Sequence, residues 1–218
     1  MIVEVAEQLF AQSGLEGVSF RQIGAAAGAA NHYAVQYHFG DKAGLVRAIF
    51  ASHLPSLEAK RSKMLTAITQ AGRLNDPRAL VEIIFRPIAE ERDREGKRSF
   101  AAFLRGLRHF ETLPGLRHQS DDLAPLTQHV VDILRAAVPH IPQVWFTRRI
   151  LNATTLFIGA VVDWDEQHER GDVLPISEEA FLCDAIDAAT AALTAPLSAS
   201  VQSELDRFVE SPGAAGEA

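Results

Sequence analysis

Val18-Ser19-Phe20-Arg21-Gln22-Ile23-Gly24-Ala25-Ala26-Ala27-Gly28, followed a few residues on by Tyr37-His38-Phe39-Gly40-Asp41-Lys42-Ala43-Gly44-Leu45, decides how this chain reads. Ser19 opens a capping box with Gln22 three residues later. Phe20, Ile23, Gly24 and Ala27 then share one apolar face, and Gly28 stops the run, so the spacing predicts a helix of only about two turns. After the small-residue turn Gly28-Ala29-Ala30, the segment Asn31 to Phe39 reads as a third short helix. Gly40-Asp41 divides it from a fourth, for which Asp41 is the N-cap. Upstream, Ile2, Val5, Ala6, Leu9 and Phe10 recur at helical spacing, and Gly14 closes a first helix.

Downstream the pattern lengthens. Leu45, Val46, Ile49, Phe50, His53, Leu54 and Leu57 continue across Pro55 towards Ile68. This predicts a long connecting helix, bent or locally broken at the proline. Gly72, Asn75, Asp76 and Pro77 then punctuate the chain. Further helices are expected near 77–92, 97–111, 121–138, 142–170 and 177–194, with a short one before the tail. No stretch alternates with period two between turn signals, so no sheet is expected. The fold class that follows is all-α. An N-terminal three-helix helix-turn-helix domain occupies 1–50, a connecting helix 51–70 and a larger helical domain 71–210. Residues 211–218, with Ser211-Pro212-Gly213-Ala214-Ala215-Gly216, are expected to form a disordered tail.

Composition narrows the function classes. The chain has 218 residues, 47% of them hydrophobic, enough to bury a substantial core. Its 21 Lys and Arg against 28 Asp and Glu give a net charge of −7. No global basic field therefore draws it to nucleic acid or anionic lipid, and any such contact must be local. The single cysteine, Cys183, cannot form an intrachain disulfide, and the reading is of a small buried hydrophobe in a reducing compartment. Glu4 and Glu7 stand where an export signal would carry basic residues, and no apolar run approaches the roughly 18 residues of a membrane span. A cytoplasmic protein without membrane contact is expected.

Two short helices joined by a small-residue turn, braced by one helix before and one after, are what a helix-turn-helix reader of DNA requires. Asn31, His32, Tyr33, Gln36, Tyr37 and His38 on the third helix are flat or amide side chains able to donate and accept. Ala34, Val35 and Phe39 supply its packing side. Gln36 and Asn31 have the geometry to pair with an adenine edge, and His32 and Tyr33 to reach base edges or a thymine methyl. Phosphate contacts are expected from Ser19 and Arg21 at the start of the second helix, with Gln22 beside them, from Tyr37 and His38, and from Lys42 at the start of the fourth.

Together the two quoted runs closely resemble the N-terminal DNA-binding domain of TetR-type transcriptional regulators, over about residues 2 to 55. The spacing of the Ile-x-x-x-Ala-Gly turn and of the Tyr-x-Phe-x-x-Lys-x-x-Leu run carries the resemblance. It implies a ligand-responsive regulator, most often a repressor, that binds a pseudo-palindromic operator in double-stranded DNA as a homodimer. It also implies that the larger domain binds a small-molecule effector and dimerises through its last two long helices, here 142–170 and 177–194. Small residues on the second of these, Ala180, Cys183, Asp184, Asp187, Ala188, Ala191, Ala192 and Thr194, permit close helix approach, within the chain or between two chains. Three features depart from the family pattern. One residue more lies between Gly28 and Tyr37, the chain begins almost on its first apolar position where a basic arm is common, and residues 1–50 hold Arg21, Lys42 and Arg47 against four acids, Glu4, Glu7, Glu16 and Asp41.

For the effector, aromatic and apolar positions stand out: Phe100, Phe103, Leu107 and Phe110 on one helix, Trp145, Phe146, Phe157 and Trp164 on another. They suit an apolar or aromatic ligand, or they are simply core. His109, His118, Asp163, Asp165, Glu166, His168 and Glu169 are metal-ligand types without the spacing of a site, so a solvated charged face is expected and no metal. No nucleophile constellation and no phosphate-cradling glycine loop is present, so neither an enzyme nor a cofactor is expected. A second reading of the same sequence is an all-α small-molecule-binding protein without sequence-specific DNA binding.

Overall fold

A computed structural model describes residues 1–28, 33–107, 124–172 and 175–210, without the side chains of 33, 34, 206 and 208–210. Within these residues it is built of helices with no strand: α1 (Ile2–Ser13), α2 (Phe20–Ala26), α3 (Tyr33–Phe39), α4 (Lys42–Gln70), α5 (Pro77–Glu90), α6 (Ser99–Leu107), α7 (Pro125–Ala137), α8 (Gln143–Glu169), α9 (Glu178–Thr194) and α10 (Ala199–Glu210). The tail 211–218 and the joint around His109, Phe110 and His118 lie outside the described residues.

The start and stop signals of the sequence are the ones the backbone uses. Both halves of the Ser19–Gln22 capping box form, Asp41 Oδ1 accepts from Gly44 N at 2.7 Å, and Asp76 and Ser177 cap α5 and α9. Gly14 and Gly28 end α1 and α2 with positive φ, 67° and 64°, which costs a glycine little. α7 has no cap of its own. Glu58 from α4 supplies one, accepting from Leu126 N at 2.8 Å and from Thr127 Oγ1 at 2.6 Å.

The expected break at Pro55 does not occur: α4 is one helix from Lys42 to Gln70 with the proline inside it. Pro55 and Ala51 are both exposed, so the carbonyl that loses its helical donor faces water, which replaces the bond. Pro87 inside α5 is buried, and there water cannot help. The buried Arg61 of α4 donates from Nη2 to the carbonyl of Ile84, the residue after the one whose helical donor Pro87 removes, at 2.9 Å, and from Nη1 to Glu58 at 3.1 Å. One guanidinium thus ties α4, α5 and, through Glu58, α7.

α5 is the axis of the larger domain. It packs against α4, α6, α7, α8 and α9, and nearly every residue from Ala79 to Ala89 is buried, the mark of a helix apolar all round. α8 and α9 pack along each other. One hydrophobic cluster runs from Ala6 and Phe10 of α1 through Leu45 and Ile49 of α4 to α5, α6 and α8. α1 lies on α6, where Phe10 meets Phe103 with ring centroids 6.3 Å apart. The N-terminal helices are therefore seated on the larger domain as well as joined to it by α4.

Candidate nucleic-acid interface

Helices α1 to α4 hold one another in a small bundle: α2 packs on α1 and α3, and α4 braces α1 and α3. Phe10, Ile23, Val35, Leu45 and Val46 are its buried centre. Val35 anchors α3 and fixes which face of that short helix turns outward. The α3–α4 turn is tight enough that a Cβ on Gly44 would lie 1.9 Å from the Phe39 carbonyl oxygen, so only glycine fits there.

The outward face carries most of the described residues expected on DNA. Ser19, Arg21, Gln22, Gln36, Tyr37 and His38 are all exposed. Tyr37, at 86%, is among the most exposed large side chains of the protein, with its ring edge-on to His38 at 5.4 Å. A buried phenol would signal packing, and this one is not buried. Arg21 has no ion-pair partner among the described residues, and is exposed at the start of α2. Tyr33 begins α3, but its side chain, like Asn31 and His32, lies outside the described residues.

Two of the expected contacts have structural work. Gln22 Oε1 accepts from both Ser19 N, at 2.8 Å, and Ser19 Oγ, at 2.7 Å, so this pair holds the start of α2. The Lys42 ammonium donates to the Leu15 carbonyl at 2.6 Å, pinning the α1–α2 connection to α4, with two of its three N–H groups remaining for an anion. Sequence reasoning missed this inward bond because Leu15 and Lys42 are far apart in the chain. It also missed Glu7, which is 4% exposed and ties α1 to α4 and α6. The available signal was its register, three and four residues from Phe10 and Val3 on the packing face of α1.

The residues expected around an effector do not converge on one cavity. Phe103 and Leu107 are enclosed between α1, α4 and α6, where Phe103 also meets Phe50 and Phe100. Phe157 stacks on Phe85 at 5.0 Å, and Trp164 on Phe181 at 4.3 Å. Phe146 is buried beneath Arg135, whose guanidinium lies 5.6 Å above its ring. Phe110 lies outside the described residues. Trp145 is half-buried in a groove with Ser200, Val201, Glu204 and Leu205 of α10. Its indole N–H is enclosed there without a hydrogen-bond partner among the described residues.

α8 carries apolar side chains that no described residue covers. Val144, Leu151 and Leu156 are 62%, 36% and 39% exposed. Val144 and Leu151, seven residues apart, share one side of the helix, with Gly159 next round, where an added Cβ would meet nothing within 4 Å, and Leu156 beyond it. Among the described residues no group of three or more His, Cys, Asp or Glu could hold a metal, and no single helix is long and apolar enough to cross a membrane.

Comparison with known proteins returns one family. Residues 2–49 match the model described as bacterial regulatory proteins, tetR family. The crystal structure of a TetR family transcriptional regulator, PfmR from Thermus thermophilus, is similar at 21% identity, covering 90% of this chain and 95% of that one with a TM-score of 0.44. No curated protein matches the chain in sequence.

Proposed function

We propose, from the match of residues 2–49 to the model of the tetR family of bacterial regulatory proteins, that this protein is a cytoplasmic, ligand-responsive transcriptional repressor that binds a pseudo-palindromic operator as a homodimer. The observation that carries the reading is the outward face of α2 and α3. A short helix anchored by buried Val35 presents Gln36, Tyr37 and His38 to solvent, and α2, packed on it, carries the exposed cation Arg21. Asn31, His32, Tyr33 and Gln36 read base edges in the major groove, and Ser19, Arg21, Tyr37, His38 and the remaining donors of Lys42 hold phosphates. Gln22 serves mainly by fixing Ser19.

Few cations per protomer make the dimer necessary. One short helix reads too few base pairs, whereas two held about 34–36 Å apart read successive turns of the duplex. The α8 surface that no described residue covers, with Val144, Leu151, Leu156 and the space over Gly159, is the one we assign to the partner protomer, with α9 beside it. An apolar or aromatic effector acts in the larger domain. Because Phe103, Leu107, Phe146, Phe157 and Trp164 are packed against other rings and helices, a ligand entering among them has to part those contacts. Binding and conformational change are then one event.

The test is fluorescence anisotropy of a labelled duplex library from the DNA upstream of the gene. Specific, salt-sensitive binding with two protomers per site supports the proposal. Ligand-induced thermal stabilisation without any specific duplex would favour the plain small-molecule-binding protein instead.

A further inference from the structure

Glu7 is an acid in the core of the contact between the DNA-binding unit and the larger domain. Its Oε1 accepts from Ser99 Oγ of α6 at 2.7 Å, and its Oε2 lies 2.7 Å from Nε2 of His53 on α4. The other ring nitrogen, Nδ1, is 3.5 Å from Oε1 of Glu91 at the end of α5. Phe100 of α6 stacks on the imidazole, centroids 4.2 Å apart, and fixes its plane. Glu91 Oε2 is held in turn by Lys60 Nζ at 3.3 Å and Ser56 Oγ at 3.2 Å, both from α4. Glu4, the other acid of α1, is engaged elsewhere, with the N-terminal amine and Arg94.

The geometry favours one protonation state. A neutral imidazole has one N–H and one lone pair, so with a carboxylate facing each nitrogen one lone pair would point at an anion. Only the imidazolium can donate on both sides. Burial opposes the charge, but the hydrogen bonds and charges of Glu7 and then Glu91 outweigh it and hold the His53 pKa above its ordinary value.

We propose that Glu7, His53 and Glu91 form a proton-operated tie that fixes the DNA-binding unit against the larger domain. With the proton in place, α1, α4 and the end of α5 are bound through one ring. Release of that proton leaves the short bond to Glu7 and turns the His53–Glu91 contact repulsive, so the end of α5 is held to α4 only by Lys60 and Ser56 and the tie through the ring is lost. A group whose folded pKa is raised gives its full stabilisation below the unfolded value, about 6.5 for histidine, and loses it as pH rises through the folded value. The tie is therefore closed below about pH 6.5 and opens as pH rises through the raised folded value. Resting on the reading of the protein as an operator-binding regulator, it makes operator affinity depend on pH through the placement of the two units.

The experiment follows histidine ring protons by NMR in the full-length protein, with His53→Gln to assign the resonance. The expected midpoint for His53 lies above about 6.5, and Glu91→Gln, a change at the partly exposed rim, lowers it. Operator anisotropy at about pH 6 and pH 8 at constant salt gives the second arm. The ratio of the two affinities in the parent differs from that in His53→Gln and Glu91→Gln by about threefold or more, whatever His32 and His38 at the DNA contribute. A midpoint at or below the ordinary value, or equal ratios in all three proteins, overturns the tie. Absence of operator binding at either pH overturns the proposed function, while the titration still decides the tie.

Discussion

Gly106 of α6 passes so close to α1 that a Cβ in its place would lie 2.9 Å from the carbonyl oxygen of Phe10. The obstacle is backbone, which cannot swing aside as a side chain would. Gly106→Ala should therefore destabilise the protein by about 1–3 kcal/mol, although alanine is the better helix former. Thermal denaturation checks this, and an unchanged or raised Tm would mean that α1 and α6 are not seated as described.

Arg21 and Lys42 are both cations of the proposed DNA face, but their contacts predict different phenotypes. Lys42→Ala removes the bond to the Leu15 carbonyl and should lower stability by about 1 kcal/mol as well as weakening DNA binding. Arg21→Ala should leave the Tm in place. Its effect is uniform weakening across sequences, with the salt slope reduced by about 1. Paired denaturation and anisotropy measurements on both variants separate the two roles.

Gly159 offers a test of assembly, because an added Cβ there meets no described residue within 4 Å. Gly159→Leu should preserve the helical circular-dichroism spectrum and the fold while disrupting the dimer through α8. Leu151→Glu, on the same face, should do likewise. Sedimentation velocity reads the outcome, and variants that sediment as the parent does would place the dimer contact elsewhere.

Arg61 is buried with Glu58 and the Ile84 carbonyl as its partners. Arg61→Ala strips the Glu58 carboxylate of its cation and removes the side-chain bond from α4 to the Ile84 carbonyl of α5. A loss of about 3–5 kcal/mol is expected in urea unfolding. A loss below about 1 kcal/mol would show that Glu58 is satisfied by Leu126 and Thr127 alone.

The fold was legible in the sequence wherever a local rule decides. Ser19, Asp41, Asp76 and Ser177 cap as their type predicts, and the glycines stop helices where φ turns positive. Pro55 left a bend and a break both open because a proline's effect depends on whether the orphaned carbonyl meets water, which is a property of burial and not of sequence. Glu58 capping α7, Lys42 reaching Leu15 and Glu7 joining α4 and α6 were hidden for another reason. Each pairs residues tens of positions apart, and no periodicity encodes such a partner. The outward face of α3 was readable because Val35 and Phe39 had to turn inward. The effector residues were not, since an aromatic lining a cavity and an aromatic filling a core obey the same helical spacing.

The most direct measurement is anisotropy of the purified protein on duplexes from its own upstream region, at about 50 and 200 mM salt, with Gln36→Ala beside the parent. The account predicts a specific site occupied by two protomers, weakened at the higher salt, with discrimination lost when Gln36 is truncated. Binding indifferent to duplex sequence, or a Gln36→Ala protein that discriminates as the parent does, would contradict the placement of α3 in the major groove.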